Sequence, residues 1–290
     1  MCMTIRELLR EGEQVISHRS VPRLEAEVLL AWILGISKEQ LFCSHDVGLT
    51  DDTIERFQEY VAQLAEGRPL AYIMNEREFY GLPFYVDERV LIPRPETEWL
   101  VTQVVELSRQ MDQANLSLVD VGTGSGAIGL SIARTLARAE VTLVDISEEA
   151  LEVTRRNTEQ LGLTSRVKIL SSDLMNTIID QQYDIVVANL PYIGETKYRF
   201  IAQDVEKYEP HVALFGGSNG LHLYTKLFQQ ISEMKELPKY LLGEFGFAQT
   251  EALQELLDTF FVHKGASVKI FQDLAGIDRY FIVSFDGLPL

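Results

Sequence analysis

The strongest constraint on the fold is an alternation of short apolar runs with helical stretches, which begins at residue 116. Strands that are separated by helices usually pair in parallel, because the helix provides the crossover that a parallel connection needs. The pattern therefore predicts an α/β fold with helices on both faces of a mostly parallel sheet. The last two strands have no helix between them and are expected to pair antiparallel. The predicted strands are residues 116–121, 141–145, 167–170, 183–189, 240–245, 268–272 and 279–285, and the predicted helices are residues 127–137, 148–161, 221–235 and 248–259.

The chain before this alternation follows a different pattern and divides into two further parts. Residues 1–72 carry apolar side chains at i, i+3 and i+4 spacing and are predicted to form a small helical domain. Residues 73–90 are predicted to form a linking β-hairpin with its turn at 81–83, which leaves residues 91–290 for the α/β domain. The helical domain holds no group of residues suited to chemistry. It is interpreted either as a plain bundle or as a domain that docks a macromolecular substrate.

Composition argues against several classes of protein. Of the 290 residues, 43 are Asp or Glu and 26 are Lys or Arg, which gives a formal charge of −17. Such a chain repels phosphate backbones, so a general nucleic-acid binder is disfavoured. The two cysteines and five histidines lack the spacing of a disulfide framework or a metal site, so no metal is expected. Because the sequence has neither a signal peptide nor an apolar run of membrane-spanning length, we expect a cytoplasmic protein without membrane contact, and we expect a monomer.

A glycine-rich turn follows the first strand of the alternation and leads into a helix. Its candidate ligand-binding residues are Asp120, Gly122, Thr123, Gly124, Ser125 and Gly126. Glycines allow tight backbone geometry and let a ligand approach the main chain closely. Gly124, Gly126 and Gly129 also match the dinucleotide pattern GxGxxG, and Asp145, after the second strand, suits the ribose of either cofactor. The turn therefore predicts a nucleotide-type cofactor and leaves NAD and S-adenosylmethionine open.

Two acidic residues favour S-adenosylmethionine. Asp120 precedes the first glycine by two residues and is expected near the head of the cofactor, where a carboxylate attracts an ammonium and repels a pyrophosphate. Asp173 follows the third strand, where a carboxylate can accept a hydrogen bond from the adenine amine. A turn residue without a ligand is the alternative interpretation of Asp173.

The sequence Asn189-Leu190-Pro191-Tyr192 follows a buried strand and indicates the reaction. Ligands bind at the carboxyl edge of such sheets. Methyl transfer to a planar NH₂ group requires acceptors that hold both hydrogens, because the nitrogen lone pair is delocalised. The side-chain oxygen of Asn189 and the carbonyl of Leu190 can supply those acceptors. Pro191 favours an extended conformation at the residue before it, and Tyr192 is expected to stack on the flat amide or base.

Motifs spread over nearly the whole chain extend this four-residue pattern. They are Gly67-Arg-Pro-Leu-Ala-Tyr72, Pro93-Arg-Pro-Glu-Thr-Glu98, the 120–129 loop, Val144-Asp-Ile-Ser147, Tyr208-Glu-Pro210 and Asp273-Leu-Ala-Gly276. Together they resemble the HemK/PrmC family, whose members methylate the glutamine of the Gly-Gly-Gln motif in class-1 peptide chain release factors. The resemblance implies a Rossmann-like class I methyltransferase that uses S-adenosylmethionine and takes release factors 1 and 2 as protein substrates.

The family resemblance also assigns roles to residues of this chain. It implies that residues 122–126 and Asp145 hold the cofactor and that Leu174, beside Asp173, closes over the adenine. It further implies that residues 189–192 hold the glutamine amide, with Asn189 next to the cofactor as well. The implied reaction is a direct transfer from sulfur to the amide nitrogen without a general base, since the proton leaves after the methyl group has arrived.

One residue departs from the family pattern, because Leu190 stands where proline is usual. The backbone carbonyl at this place is kept, whereas the fixed φ is lost and an additional N–H must find a partner. We expect activity to survive with a less rigid loop. In Leu190→Pro, a large fall in turnover would show that the site is built differently.

The segment between the hairpin and the α/β domain supplies three further candidates, Arg94, Glu96 and Thr97, which are expected to line a channel for the substrate glutamine. Capping of the following helix is the alternative role for these residues.

Three other functions compete with a protein methyltransferase. An adenine-N6 methyltransferase acting on DNA or RNA uses the same four-residue signature, but it needs clustered Lys and Arg for phosphate contacts, and the sequence has no such cluster. An NAD-dependent oxidoreductase leaves residues 189–192 without a role. A non-catalytic cofactor-binding module predicts no methyl transfer at all. The acidic charge favours a protein substrate, and a basic loop on that substrate would bind more weakly at high salt.

Overall fold

A computed structural model of the chain describes residues 3–111, 115–194, 203–285 and 287. The described residues form two compact units. The first unit contains residues 3–76 and 203–208, and the second contains the remainder. Of the predicted linking hairpin, residues 73–76 lie in the first unit and residues 77–90 in the second.

Helices account for most of the secondary structure in the described residues. In chain order they are α1 (Ile5–Val15), α2 (Pro22–Leu34), α3 (Lys38–Cys43), α4 (Asp51–Ala65), α5 (Leu70–Met74), α6 (Glu98–Gln110), α7 (Ala127–Thr135), α8 (Glu148–Gln160), α9 (Gln203–Tyr208), α10 (His222–Glu233) and α11 (Thr250–Phe261). Among these helices, none combines the length and the hydrophobicity required to cross a membrane.

The strands fall into two sheets. They are β1 (Arg77–Phe79), β2 (Leu82–Phe84), β3 (Leu116–Val121), β4 (Ala139–Asp145), β5 (Val167–Ser171), β6 (Ile185–Ala188), β7 (Tyr240–Glu244), β8 (Ser267–Gln272) and β9 (Asp278–Ser284). The strands β1 and β2 form a two-stranded ribbon, and the others form a seven-stranded sheet.

Apolar side chains at helical spacing build the core of the first unit. Leu8, Leu29 and Leu64 are fully buried. Local signals set the ends of the helices: Thr4 and Glu7 form a reciprocal capping box at the start of α1, and Gly35 ends α2 in the left-handed conformation. The predicted helical character of this region is confirmed.

The hairpin turn lies closer to the N-terminus than the sequence analysis placed it. Tyr80 and Gly81 connect the strands with φ values of 52° and 72°, as in a type I′ turn, whose twist matches that of the paired strands. Pro83, expected in the turn, instead pairs with Glu78 inside the ribbon. The expected turn at residues 81–83 is therefore wrong.

The large sheet has the order β5-β4-β3-β6-β7-β9-β8. All neighbours from β5 to β7 pair in parallel, and β9 pairs antiparallel with both β7 and β8. Two apolar cores lie against this sheet, one including α6 and α7 and the other including α10 and α11. The predicted α/β fold and the antiparallel end of the sheet are confirmed.

The strand order reverses between β3 and β6, because β4 and β5 extend the sheet on one side while β6 and β7 extend it on the other. Loops leave such a switch point in opposite directions and open a crevice at the carboxyl edge. The register pairs Val121 with Ala188 and Ala188 with Gly243. It therefore places three loop starts side by side, those after β3, β6 and β7.

Candidate active site

A cavity of about 290 Å³ lies at this switch point. It is lined by residues that are far apart in sequence and that follow β3, β4, β5 and β6. The predicted site residues that line it are Arg94, Thr97, Gly122, Thr123, Gly124, Ser125, Asp145, Asp173, Leu174, Asn189, Leu190 and Pro191. Four other predicted residues, Asp120, Gly126, Glu96 and Tyr192, are not part of the lining.

The glycine loop is anchored to the neighbouring strand through its backbone. The N–H groups of Gly122 and Thr123 both donate to the carbonyl of Val144 at 2.9 Å. Gly124 has a φ of 56°, and a Cβ built on it would meet nothing within 4 Å. The backbone of the loop is thus exposed to open space on the cavity side, as a cradle for a ligand requires.

Asp120 lies beneath this loop and holds its shape. The side chain is fully buried, and its Oδ2 accepts hydrogen bonds from the Thr123 hydroxyl at 2.7 Å and from the Gly129 N–H at 2.9 Å. Its Oδ1 is buried without a partner among the described residues. Burial raises the pKa of Asp120 to about 6, and the nearby charge of Asp145 adds to that rise. The expected contact of Asp120 with the cofactor stays a prediction.

Asp145 ends β4 and faces the cavity. Its Oδ2 accepts from the N–H of Gly124 and its Oδ1 from the N–H of Ser147, both at 2.9 Å. Burial raises the pKa of Asp145, while these backbone donors lower it in part. The carboxylate is therefore held rigidly beside the glycine loop, in the place that the sequence analysis expected for a ribose ligand.

The loop after β5 contributes Asp173 and Leu174 to the cavity wall. Asp173 pairs with Lys226 on α10. Leu174 is buried and has a φ of 54°, an uncommon backbone conformation for leucine. A contact of either residue with the adenine stays a prediction.

Asn189 directly follows β6, and its side chain is held by two partners. Its Nδ2 donates to the hydroxyl of Thr97 at 3.1 Å and to Oε2 of Glu244 at 3.3 Å. The Thr97 hydroxyl itself donates to the same Glu244 oxygen at 2.7 Å. Both hydrogen bonds of Asn189 within the described residues use the nitrogen, which leaves the amide oxygen as an acceptor for a ligand.

Tyr192 takes part in the same network from behind the cavity. Its hydroxyl donates to Oε1 of Glu244 at 3.1 Å, and its carbonyl accepts from Nε2 of Gln249 at 2.9 Å. Burial raises the pKa of Tyr192, and the Glu244 charge raises it further. Since Tyr192 is outside the cavity lining, its expected stacking on a substrate amide stays a prediction.

The linker residues have different surroundings. Arg94 lines the cavity and donates to Oε1 of Glu209 at 2.6 Å, while the N–H of Ile92 donates to the other oxygen of this buried glutamate. Thr97 makes no side-chain cap at α6, because its hydroxyl is bound to Glu244. Glu96 is exposed, and its carbonyl accepts from the Tyr280 hydroxyl. A substrate contact of Glu96 stays a prediction.

The cavity fits an S-adenosyl cofactor by the chemistry of its donors and acceptors. The open cradle at Gly124 and the carboxylates of Asp145 and Asp173 line one continuous wall. A sulfonium ligand with an amino acid head and a ribose offers cationic and hydroxyl groups to those acceptors. Within the parts of the chain that the structure describes, no three His, Cys, Asp or Glu side chains are grouped to hold a metal ion.

Comparison with known sequences assigns the chain to a family. Residues 7–74 match the model of the PrmC N-terminal domain, and residues 101–211 match that of the methyltransferase small domain. The chain is 37% identical over 259 residues to the release factor glutamine methyltransferase of Koribacter versatilis, with 89% of each chain covered. It is 34% identical to that of Chlorobaculum tepidum, with 95% of each covered, and 35% identical to that of Bacillus subtilis, with 95% and 96% covered.

The chain belongs to the release factor glutamine methyltransferase family. The resemblance stated from the sequence motifs is thereby confirmed. Among solved structures, the catalytic domain of human METTL16 in complex with the MAT2A 3′UTR hairpin 6 has a TM-score of 0.58 at 15% identity, with 83% of this chain and 84% of that chain covered. The N-terminal domain of human METTL16 in complex with SAH has a TM-score of 0.53 at 16% identity, with 88% and 94% covered. These likenesses establish the methyltransferase fold.

Sequence reasoning missed two residues that hold the site of this family member together. Glu244 ends β7 and contacts Thr97, Asn189 and Tyr192. Asn157 on α8 donates to the carbonyl of Ser125 at 2.8 Å and so fastens the glycine loop to a helix. Glu244 could have been noticed in the sequence, because it is a glutamate at the end of an otherwise apolar strand. Nothing in the local sequence marks Asn157, because its partners are distant along the chain.

Leu190, the residue that departs from the family pattern, lies beside the buried Tyr224. Burial raises the pKa of Tyr224 and a backbone contact with Leu190 lowers it in part, while the Tyr224 hydroxyl donates to the carbonyls of Ala188 and Glu244 at 3.2 and 2.5 Å. The leucine side chain is 3% exposed, and a Cβ on Gly122 would lie only 2.8 Å from its Cδ2. Leu190 therefore packs against the glycine loop, next to a buried tyrosine.

Leu190→Pro is expected to keep turnover within about threefold of the unchanged chain and to lower the free energy of unfolding by about 1–3 kcal/mol. The carbonyl that is predicted to face the substrate remains, whereas the backbone N–H beside Tyr224 and part of the buried side chain are lost. Steady-state kinetics and urea unfolding measure the two effects. A fall in turnover without loss of stability would mean that the leucine itself is needed for the reaction.

Proposed function

We propose that this protein methylates the side-chain amide nitrogen (N5) of the glutamine in the Gly-Gly-Gln motif of class-1 peptide chain release factors 1 and 2, with S-adenosylmethionine as methyl donor. The observation that carries the proposal is the orientation of Asn189. Its nitrogen is engaged by Thr97 and Glu244, so its oxygen is left to accept from a substrate NH₂ group beside the glycine loop. Membership of the family supplies the identity of the substrate.

The roles of the cofactor-binding residues follow from their positions. The glycine loop, residues 122–126, offers close backbone approach, with Gly122, Thr123, Gly124 and Ser125 in the cavity lining. Asp145 is held by two backbone N–H groups so that a carboxylate oxygen can accept from ribose hydroxyls. Asp173 and Leu174 form the wall proposed for the adenine. S-adenosylmethionine supplies a methyl group on a positively charged sulfur, and the carbon–sulfur bond breaks as the carbon–nitrogen bond forms.

The protein contributes orientation and a low-dielectric surrounding. The Asn189 oxygen and the Leu190 carbonyl hold the two amide hydrogens, so that the nitrogen presents its lone-pair face to the incoming methyl group. Oriented dipoles of this kind are worth about 10²–10³ in rate for each group removed. As the methyl group arrives, the nitrogen becomes positive and its proton is lost to solvent or to a neighbouring acceptor. The positive charge moves from sulfur to nitrogen and is spread over both in the transition state, which a partly dehydrated cavity would favour over a localised charge.

The charges around the cavity favour a protein over a nucleic acid. Among the residues that the structure describes, two arginines line the cavity, and carboxylates neutralise both of them. Arg89 contacts Asp87 at 2.7 Å and Glu152 at 2.8 Å, and Arg94 contacts Glu209 at 2.6 Å. With the formal charge at −17, neither arginine is left to neutralise a phosphate backbone. We therefore infer direct recognition of the release factor, by a monomer, in the cytoplasm where these factors work.

The deciding experiment offers radiolabelled S-adenosylmethionine to the full chain together with a purified class-1 release factor, or with duplex DNA. We expect label on the release factor, and mass spectrometry should place the methyl group on the glutamine of Gly-Gly-Gln. A release factor whose Gly-Gly-Gln glutamine is changed to alanine is the matched control and should remain unlabelled. Label on DNA alone would refute the proposal in favour of an adenine-N6 methyltransferase.

A further inference from the structure

Glu244 is a buried carboxylate that enters the proposed chemistry only as a hydrogen-bond partner of Asn189. It ends β7, and its side chain is 2% exposed. The pairing of Ala188 with Gly243 places the next residues of the two strands, Asn189 and Glu244, beside each other at the carboxyl edge of the sheet. Glu244 does not line the cavity, so it acts on the site only through its neighbours.

Those neighbours are three hydrogen-bond donors from two separate segments, the residue before α6 and the loop after β6. Oε2 accepts from the Thr97 hydroxyl at 2.7 Å and from Nδ2 of Asn189 at 3.3 Å, and Oε1 accepts from the Tyr192 hydroxyl at 3.1 Å. Burial raises the pKa of Glu244, while hydrogen bonds from Thr97 and Tyr192 lower it in part, and in its ionised form the carboxylate accepts and does not donate. Every group that touches it must therefore present a hydrogen.

This requirement decides which end of the Asn189 amide faces the substrate. The oxygen and the nitrogen of an asparagine side chain have nearly the same shape, so only the hydrogen-bond partners distinguish its two orientations. If the amide turned over, its oxygen would face a carboxylate oxygen, and two acceptors would be in contact. The NH₂ group would then point at the substrate amide, where it could not accept either of the hydrogens.

We propose that Glu244 is a positioning residue that fixes the orientation of the Asn189 amide, so that the oxygen of Asn189 faces the glutamine NH₂ group. Thr97 favours the same orientation of the Asn189 amide, because its hydroxyl donates to Glu244 and accepts from Asn189. The inference rests on the proposed function, because it concerns the acceptor that holds the substrate amide. It assigns to Glu244 an effect on turnover larger than its effect on cofactor binding.

A reversal of donor and acceptor tests the proposal. Asn189→Asp places two carboxylates in contact and removes the donor, so we expect a loss of turnover of about 10³-fold. Adding Glu244→Gln restores a hydrogen bond between the two side chains, with the donor now on residue 244. The NH₂ group of the new glutamine can donate to the new aspartate, while the glutamine oxygen still accepts from Tyr192. The double variant is expected to be at least about tenfold more active than Asn189→Asp alone.

The matched control is Asn189→Asp combined with Glu209→Gln. Glu209 is equally buried, but its contacts are Arg94 and the N–H of Ile92 and do not include Asn189. This pair of substitutions is expected to have the same turnover as Asn189→Asp alone. If the Glu244 pair recovers no more activity than the Glu209 pair, the proposal is wrong.

A second measurement needs no substrate. With selective ¹⁵N labelling of asparagine, the side-chain NH₂ signal of Asn189 is assigned by its disappearance in Asn189→Ala. We expect this signal to move in Glu244→Gln, because the charged acceptor next to it becomes neutral. An unmoved signal would overturn the inference even if turnover fell. Failure of the unchanged chain to methylate a release factor would instead refute the proposed function, while the NMR result still decides the role of Glu244.

Discussion

Asn189→Ala is expected to lower methylation of the release factor by at least about 10²–10³-fold and to leave the affinity for S-adenosylmethionine within about threefold. The change removes the acceptor that holds one hydrogen of the substrate amide. The glycine loop and Asp145, which we propose to bind the cofactor, are held by backbone contacts that do not involve Asn189. Turnover is measured with labelled cofactor, and cofactor affinity by isothermal titration calorimetry.

The alanine variant also separates catalysis from cofactor binding. Asn115→Ala, at an exposed asparagine just before β3, is the matched control and should keep full activity. An equal loss of cofactor affinity and of turnover in Asn189→Ala would indicate that Asn189 acts mainly on the cofactor. Unchanged turnover would remove the asparagine from the mechanism altogether.

Asp120→Asn is expected to stabilise the cofactor-free protein at neutral pH by about 3 kcal/mol and to have little effect near pH 4. Burial raises the pKa of Asp120 to about 6 in the folded chain, from an ordinary value of 3.8. Between those two values the folded chain binds more protons than the unfolded chain, so the free energy of unfolding falls as the pH rises through this window. Above pH 6 the full cost of the buried charge is present, and the neutral amide removes it.

Urea unfolding at pH 4 and pH 7.5, without cofactor, measures this difference between the variant and the unchanged chain. Ser131→Ala is the matched control, because Ser131 holds the other buried side-chain oxygen without a partner in the described residues and carries no charge. Its effect on stability should be the same at both pH values. If Asp120→Asn changes stability equally at both, ionisation of Asp120 is not the cause.

The fold was largely predictable because its signals are local. Apolar runs of strand length separated by amphipathic stretches specify a parallel sheet, and the structure has strands and helices within a few residues of each predicted position. The hairpin turn was misplaced because Pro83 suggested a turn, whereas the positive φ values of Tyr80 and Gly81 are what close the ribbon. A proline in an isolated two-stranded ribbon needs no ladder hydrogen bond from its nitrogen, so Pro83 is tolerated within β2.

The candidate site was predictable only where its residues lie in one continuous motif. The glycine loop, Asp145 and residues 189–192 each end a strand, and the carboxyl edge of a parallel sheet gathers such residues by construction. Thr97 was predicted to line the substrate channel and it lines the cavity, but the hydrogen bond from its hydroxyl to Glu244 was not predicted. Glu244 and Asn157 were missed, because each acts through partners distant in the sequence.

The sequence by itself determined the chemistry that the site can support. It predicted a glycine loop for a nucleotide-type cofactor and acidic residues after two strands. It also predicted that Asn189 and the Leu190 carbonyl, which precedes a proline, act as acceptors. Residue types and their spacing indicate the possible cofactor and reaction, because both depend on which functional groups are present. The tertiary structure alone decided the direction in which those groups point. The register between β6 and β7 sets Glu244 beside Asn189, and only that contact distinguishes the two ends of an amide that sequence cannot tell apart.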